Sequence, residues 1–238
     1  MIVVVGLAFE ARIAAGPGVN VICSGDGRNL ASSLAAAVRG GCGGLVSFGV
    51  AGGLHPDLQP GDCIVASAVV SGSNRIPTDR GWSQHLIEAV PGSVSGVLVG
   101  VRAPVATPRA KQALHRETGA IAVDMESHIV ASVAAKHAIP MVAIRVVTDP
   151  AVRTLPASAL RAMRADGTTD VGGMLRQLLR NPREFPAIVR TALDARAARA
   201  ALRRGRQLLG PSLGLPSPRS PNWTLPERRP RPVAAGTG

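Results

Sequence analysis

The chain has 238 residues, of which 46% are hydrophobic, and a formal net charge of +12. This length and apolar content are enough for the core of one α/β domain. No apolar run approaches the ~20 residues of a membrane-spanning helix, and the N-terminus lacks the features of a signal peptide. These absences exclude a membrane-spanning protein and favour a cytoplasmic one.

Short apolar runs alternate with helix-like stretches along the first 150 residues. The strand candidates are Ile2 to Val5, Val19 to Ser24, Gly44 to Val50, Cys63 to Val70, Gly96 to Val101 and Met141 to Val147. The helix candidates are Asn29 to Arg39, Trp82 to Val90 and Asp124 to His137. Most apolar runs are continuous, which is typical of strands covered on both faces. The sequence therefore predicts an α/β fold with a mixed, largely parallel central sheet flanked by helices, as in Rossmann-like proteins.

The C-terminal part of the chain differs from the rest in composition. We assign residues 1–182 to the main α/β domain, residues 183–209 to a basic helical extension and residues 210–238 to a Pro/Arg-rich tail. Such a tail buries too little apolar surface to order itself, so we expect it to be disordered.

The predicted basic extension carries its charge on one side. If residues 186–209 are helical, one stripe holds Arg196, Arg199, Arg203 and Arg206. Arginines near a membrane surface are attracted to anionic headgroups, so the stripe predicts peripheral membrane contact. The alternative is a solvated basic helix that caps the domain.

Two carboxylates flank the last helix and strand of the predicted domain. Glu126 lies where the third helix opens, and Asp149 follows the strand that starts at Met141. Ligands bind at the carboxyl ends of parallel strands, and paired carboxylates can grip a sugar diol and move a proton. The pair favours an enzyme that cuts a glycosidic bond to a nitrogenous base. Taken singly, Asp149 could instead cap its turn with Pro150, and Glu126 could interact with a helix N-terminus.

A third carboxylate, Glu10, follows the first predicted strand. That position suits an active-site group, and equally an ordinary carboxylate at a helix start. Nearby Arg12 could hold phosphate. The sequence of residues 25–29 predicts a Gly-rich turn before a helix, which can present N–H groups to an anion, although Gly and Asp also make plain turns. The three cysteines show no metal-ligand spacing, so we expect no metal site.

Four motifs, in order, carry a family resemblance. They are Gly6-Leu7-Ala8-Phe9-Glu10, Phe48-Gly49-Val50-Ala51-Gly52-Gly53-Leu54 with Pro60-Gly61-Asp62, Val123-Asp124-Met125-Glu126-Ser127, and Val147-Thr148-Asp149-Pro150-Ala151. Over roughly residues 1–155 the chain resembles the nucleoside phosphorylase and methylthioadenosine nucleosidase superfamily. The first and third motifs, with the segment Gly205 to Gly210, are most similar to the hopanoid-associated phosphorylases.

The resemblance implies an activity and a set of site residues. A hopanoid-associated phosphorylase is expected to release adenine from adenosylhopane in bacteriohopanetetrol synthesis; the alternative is a methylthioadenosine/S-adenosylhomocysteine-type nucleosidase acting on a soluble nucleoside. The implied residues are catalytic Asp149 and Glu10, ribose-binding Glu126 and Met125, base-binding Ala51, Gly52 and Val147, and phosphate-binding Gly6, Arg12, Gly27 and Arg28. Where the family's phosphorylases commonly have an arginine and a hydroxyl residue, this chain has Ser47 and Val50, which leaves phosphorolysis and hydrolysis both open.

The resemblance also implies partners. We expect no cofactor, with inorganic phosphate as a co-substrate of phosphorolysis, and a purine nucleoside, lipid-linked or soluble, bound by a homo-oligomer. A pI near 11.5 leaves a nucleic-acid binder as an alternative, but 2% aromatic residues are few for stacking on single strands. A non-catalytic nucleoside-binding protein is the other alternative, and the presence of both Asp149 and Glu126 argues against it.

Overall fold

Eight strands and seven helices make up the part of the chain that the computed structural model describes, residues 1–24, 29–162 and 184–215. The strands are β1 (Ile2–Val5), β2 (Asn20–Cys23), β3 (Leu45–Gly53), β4 (Cys63–Ser71), β5 (Asn74–Pro77), β6 (Val94–Gly100), β7 (Ala122–Asp124) and β8 (Met141–Asp149). The helices are α1 (Ala8–Ala14), α2 (Leu30–Arg39), α3 (Arg80–Ala89), α4 (Pro108–Thr118), α5 (Ser127–His137), α6 (Ala157–Ala162) and α7 (Phe185–Leu208).

The strands form one mixed sheet that closes on itself over part of its width. Strands β2, β1, β3 and β8 lie side by side and parallel. Strand β8 also pairs antiparallel with β4, which is parallel to β6, and β6 is parallel to β7. The short β7 returns antiparallel to the tip of β3, where Gly52 is opposite Val123. The five strands β3, β8, β4, β6 and β7 therefore form a ring, and β1, β3 and β8 end at the same edge.

Burial explains why the sequence folds in this way. Almost every residue of β1, β3 and β8 is buried, as expected for strands covered on both faces. Helices cover the sheet: α2 and α5 pack together, α3 packs on β4, and α7 packs on β8. The prediction of a mixed, largely parallel sheet flanked by helices is confirmed.

The strand and helix predictions differ from the structure mainly at short elements. The helix predicted from Asp124 begins at Ser127, because residues 122–124 form β7. Helices α1 and α4 and strand β5 were not predicted. Helix α4 has a clear local cause, since the Thr107 hydroxyl accepts a hydrogen bond from Ala110 N and Pro108 occupies the first turn.

Helix α7 spans most of the predicted basic extension and packs on the core through Ile188, Ala198, Ala201 and Leu202. Within residues 210–215, assigned from sequence to the tail, Leu213 is buried and Leu215 packs against the core. Trp82 Nε1 donates to the carbonyl of the buried Leu213 at 3.0 Å. The rest of the predicted tail and the boundary at residues 182 and 183 lie outside the described residues. Among those described, no helix has the length and apolarity needed to cross a membrane.

Candidate active site

A cavity of about 620 Å³ lies at the edge where β1, β3 and β8 end, and α7 lines it together with the segments after those strands. Seven of the residues predicted from sequence line it: Gly6, Glu10, Ala51, Gly52, Met125, Glu126 and Asp149. Glu10 therefore shares one cavity with Glu126 and Asp149, although it lies far from both in the sequence.

Glu10 lies in the first turns of α1 with its carboxylate turned back toward β1. Its Oε2 accepts hydrogen bonds from the backbone N–H groups of Gly6 and Leu7, at 2.9 and 2.8 Å. Its Oε1 accepts a third, from Val50 N at 2.8 Å. Burial raises the pKa of Glu10, while Arg145 and the three N–H donors act in the opposite direction. The backbone nest at the ends of β1 and β3 is thus filled by a side chain of the protein itself.

Two glycines allow the carboxylates to approach the backbone. A Cβ atom on Gly6 would lie 2.6 Å from Oε1 of Glu126. Gly49, in β3, has a φ of 154°, and a Cβ there would lie 2.6 Å from Cδ of Glu10 and 2.7 Å from Nη1 of Arg145. Only glycine combines this backbone conformation with such close contacts.

The fully buried Arg145, in β8, links the acidic groups below the cavity. Its Nε lies 2.6 Å from Oδ2 of Asp124, and its Nη2 lies 3.3 Å from Oε2 of Glu126. Nη2 also donates to Ser47 Oγ at 2.6 Å. Burial alone would lower the pKa of Arg145, but Asp124, Glu126 and Glu10 together hold it above its ordinary value. The guanidinium therefore stays charged and orders the carboxylates around it.

Glu126 lies just before α5, between Arg145 and the cavity. Burial raises its pKa to about 7. The attraction of Arg145 opposes this rise, and the negative charges of Asp124 and Glu10 add to it. A carboxyl group with a pKa near neutrality, in contact with a cavity, is a common property of functional sites.

Asp149 ends β8 and is held at both oxygens. Thr148 Oγ1 donates to Oδ1 at 2.8 Å, and Lys111 Nζ lies 2.5 Å from Oδ2. Burial raises the pKa of Asp149, against the effect of the nearby Lys111 ammonium. The carboxyl lies over Gly52, where a Cβ would be 3.2 Å from Oδ2, so β3 and β8 meet there without a side chain between them.

The rest of the cavity wall is mainly aliphatic. Its apolar side chains include Leu7, Val105, Leu155, Leu160 and Ile188. Phe9 is the aromatic residue in the wall. Arg199 of α7 stacks over Phe9, with its Cζ 5.3 Å from the ring centroid, and Arg196 also lines the cavity.

Four residues of the sequence-based set are not part of this arrangement. Val147 is fully buried and does not line the cavity. Arg12 is exposed on α1, also outside the lining. Gly27 and Arg28 lie outside the described residues. Of the predicted basic stripe on α7, Arg206 turns inward and donates to the carbonyls of Ala14 and Gly210.

Sequence reasoning missed Arg145 and Lys111. Arg145 had a usable signal, because it is the one charged residue within the apolar run from Met141 to Val147, and a charge in a buried strand requires partners. Lys111 had none, since helix α4 itself was not predicted. No group of three or more His, Cys, Asp or Glu side chains suited to a metal ion occurs among the described residues.

The arrangement has the parts needed for chemistry at a sugar–base bond. Glu10 and Glu126 lie close together at the ends of β1 and β7, and Asp149 lies at the end of β8 in the same cavity. One carboxylate can activate a nucleophile, one can bind hydroxyls and one can carry a proton. The fold and the site together suit an enzyme that cleaves nucleosides.

Comparison with known families agrees with this class. Residues 5–181 match the Phosphorylase superfamily, so the chain belongs to that family. A search of the curated proteins found no match.

Solved structures share the fold. A protein from Francisella philomiragia, described as a 5′-methylthioadenosine/S-adenosylhomocysteine nucleosidase, is 18% identical with a TM-score of 0.60, covering 87% of this chain and 95% of that one. The Helicobacter pylori 5′-methylthioadenosine/S-adenosylhomocysteine nucleosidase is 17% identical with a TM-score of 0.58, covering 75% and 96%. Futalosine hydrolase from the same organism is 18% identical with a TM-score of 0.57, covering 74% and 97%.

Proposed function

We propose that this enzyme hydrolyses the N-glycosidic bond of a purine nucleoside, with water as the nucleophile. Glu10 accepts a proton from water as the water oxygen bonds to C1′ of the ribose. The bond between C1′ and N9 breaks, and Asp149 donates a proton to N7, so that the base leaves neutral. Glu126 accepts hydrogen bonds from the 2′ and 3′ hydroxyls, and Met125 packs against the sugar.

The hydrogen bonds around Glu10 are the observation that favours water over phosphate as the nucleophile. The N–H donors, Gly6, Leu7 and Val50, are the kind of group that binds phosphate in other proteins. Here all three donate to a carboxylate, whose negative charge also repels phosphate. An anion cannot use these donors unless Glu10 leaves them.

The neighbouring polar groups support the same choice. Ser47 is fully buried, and its hydroxyl accepts a hydrogen bond from Arg145. Arg145 is engaged in turn by Asp124 and Glu126. Neither group presents a free donor to the cavity for phosphate. A buried carboxylate with a raised pKa, by contrast, is suited to accept a proton from water.

The roles of Asp149 and Glu126 follow from their ionisation. The raised pKa of Asp149 favours the protonated carboxyl that a departing purine requires. Glu126, with a pKa of about 7, accepts hydrogen bonds from both ribose hydroxyls best when it is ionised. The proposed reaction therefore needs Asp149 protonated and Glu10 ionised in the same cavity.

The decisive experiment measures base release in phosphate-free buffer and again with added inorganic phosphate. The substrates are adenosine, 5′-methylthioadenosine, S-adenosylhomocysteine, futalosine and adenosylhopane. We expect release at the same rate in both buffers, with free sugar as product. Glu10→Gln should lower kcat by about 10²- to 10⁴-fold, while Glu88→Gln, on the surface helix α3, should not. A phosphate-dependent rate with a sugar 1-phosphate product would refute hydrolysis.

The proposed substrate is lipid-linked, as the resemblance to the hopanoid-associated phosphorylases implies; a soluble methylthioadenosine-type nucleoside is the alternative. Helix α7 supports a lipid-linked substrate, because it lines the cavity through Ile188 and exposes an apolar stripe elsewhere. Phe185, Val189 and Leu193 recur at four-residue spacing and are 56%, 42% and 59% exposed. An amphipathic surface beside the cavity is suited to a membrane interface.

Vesicle flotation tests the membrane contact. Wild-type protein and a variant with Phe185→Gln, Val189→Gln and Leu193→Gln are mixed with phosphatidylglycerol-rich vesicles or with phosphatidylcholine vesicles. We expect wild-type protein to float with the anionic vesicles and the variant to lose most of this recovery. Equal recovery of both proteins would remove the membrane contact while leaving the hydrolysis proposal intact. Sedimentation of the wild-type protein without vesicles tests the expected homo-oligomer.

A further inference from the structure

Helix α4 carries a fully buried lysine, Lys111, whose side chain reaches Asp149 at the cavity. Lys111 Nζ lies 2.5 Å from Oδ2 of Asp149. It also donates to the backbone carbonyls of Pro150 at 2.9 Å, Arg153 at 3.3 Å and Asp149 at 3.4 Å. One ammonium group thus bonds both to the carboxyl and to the loop that carries it.

The surroundings of Lys111 disfavour a charged side chain in two ways. Lys111 lies in the first turn of α4, where the positive end of the helix dipole repels a cation. Removing an ammonium from water is costly unless its donors are all satisfied. The four surrounding oxygens satisfy the N–H donors of Lys111. A neutral side chain at this position would not need such partners.

The composition of the chain also indicates a specific role for Lys111. The chain has 27 lysines and arginines together, yet its only lysines are Lys111 and Lys136. Lys136 is exposed on α5. An ammonium is a compact point charge whose three donors can diverge, whereas a guanidinium is a planar fork. The divergent set of one carboxylate and three carbonyls around Lys111 suits an ammonium better than a planar guanidinium.

We infer that Lys111 is a positioning residue for the reaction: it fixes the carboxyl of Asp149 toward the leaving base and sets when that carboxyl holds its proton. This inference rests on the proposed function of Asp149. Thr148 holds the other carboxyl oxygen, so the two donors fix the plane of the group. The backbone bonds of Lys111 also hold residues 149–153, the start of the segment that leads to the cavity wall at Leu155.

Few charged groups act on Asp149, so a change in its pKa can be attributed to one of them. Lys111 faces it from α4, and Arg153 lies in the loop after β8. Arg153 itself is ion-paired with Asp194 of α7. Burial raises the pKa of Asp149, and Lys111 is the largest influence that lowers it. Removing the ammonium should therefore let Asp149 keep its proton to a higher pH.

A double-mutant cycle tests the inference. Lys111→Met, Asp149→Asn and the double variant are compared by kcat for base release, with Lys136→Met as the matched surface control. We expect Lys111→Met to lower kcat by about 10²-fold, the usual size of an orientation loss, and to add almost nothing in the Asp149→Asn background. Losses that multiply in the double variant would overturn the inference, because Lys111 would then act independently of Asp149.

The pH profile separates positioning from a general loss of structure. In the proposed mechanism kcat/KM falls at high pH as Asp149 loses its proton. Lys111→Met should move this alkaline limb to higher pH, whereas Lys111→Arg, which keeps the charge, should leave the limb near its wild-type position. A Lys111→Met profile that is lower but unshifted would refute control of the Asp149 proton.

Labelled wild-type protein provides a test that needs no variant at Lys111. Because the chain has two lysines, ¹⁵N-lysine labelling gives two side-chain signals, and Lys136→Arg assigns them. Adding adenine should shift the Lys111 signal and leave the Lys136 signal unchanged. If adenine binds and the Lys111 signal does not move, Lys111 does not sense the base through Asp149, and the inference is contradicted.

The inference and the proposed function fail in different ways. If Asp149→Asn releases base at the wild-type rate, the proposed role of Asp149 is wrong. If Asp149→Asn is inactive but Lys111→Met matches wild type in rate and pH profile, only the role of Lys111 is wrong.

Discussion

Glu126 is expected to destabilise the folded enzyme at neutral and alkaline pH, and Glu126→Gln should relieve this cost. Its pKa rises from an ordinary 4.5 to about 7 in the folded protein. At about 1.4 kcal/mol for each factor of ten in proton affinity, that change corresponds to roughly 3 kcal/mol. The folded protein holds this proton more tightly than the unfolded chain. Stability from Glu126 is therefore fully present below pH 4.5 and is lost as the pH rises through 7.

The measurement is urea unfolding of wild-type and Glu126→Gln protein between pH 4.5 and pH 8.5. At the acid end both side chains are neutral and of similar shape, so the free energies of unfolding should agree. The variant should become the more stable protein as the pH rises, by up to roughly 3 kcal/mol at pH 8.5, although it should lose ribose binding. Glu117→Gln, on the exposed side of α4, is the control. A stability difference that does not depend on pH would refute the reasoning.

Three further substitutions test the packing of buried groups. Gly49→Ala should lower the free energy of unfolding by at least 1–3 kcal/mol, measured by urea denaturation, because its φ of 154° is strained for alanine and a Cβ meets Glu10. Arg145→Met should cost about 3–5 kcal/mol by leaving buried carboxylates uncompensated; exposed Arg39→Met, with no such role, should stay near wild type. Trp82→Phe should cost about 1–3 kcal/mol in a thermal scan, since the Leu213 carbonyl loses its donor.

The elements that could be predicted from sequence are those with a strong local pattern. Strand β8 is a continuous apolar run, and its end at Asp149 follows directly from Pro150. Strand β7 could not be found in the same way, because three residues have no periodicity and are held by pairing with β3 and β6. Its pairing partners are distant in the chain.

The candidate site divides along the same line. Glu10, Glu126 and Asp149 follow strands or open helices, so their positions carry a local signal that the family motifs strengthen. Of the residues that shift their pKa values, Lys111 has no local signal, and the signal of Arg145, a charge within an apolar strand, does not show which groups it meets. Lys111 reaches Asp149 across 38 residues of sequence, and Arg145 reaches Ser47 across 98. Such contacts depend on the closed ring of strands, which no short motif specifies.

The region shared with the Phosphorylase superfamily ends at residue 181, and α7 begins at Phe185. Glu10, Glu126 and Asp149 of the candidate site lie within that region, while one wall of the cavity, with Ile188 and Arg199, lies beyond it. Substitutions in this wall can therefore change the shape of the cavity without altering the elements that carry those carboxylates. Exchanging this helix between relatives would test whether the wall sets which nucleoside the cavity accepts.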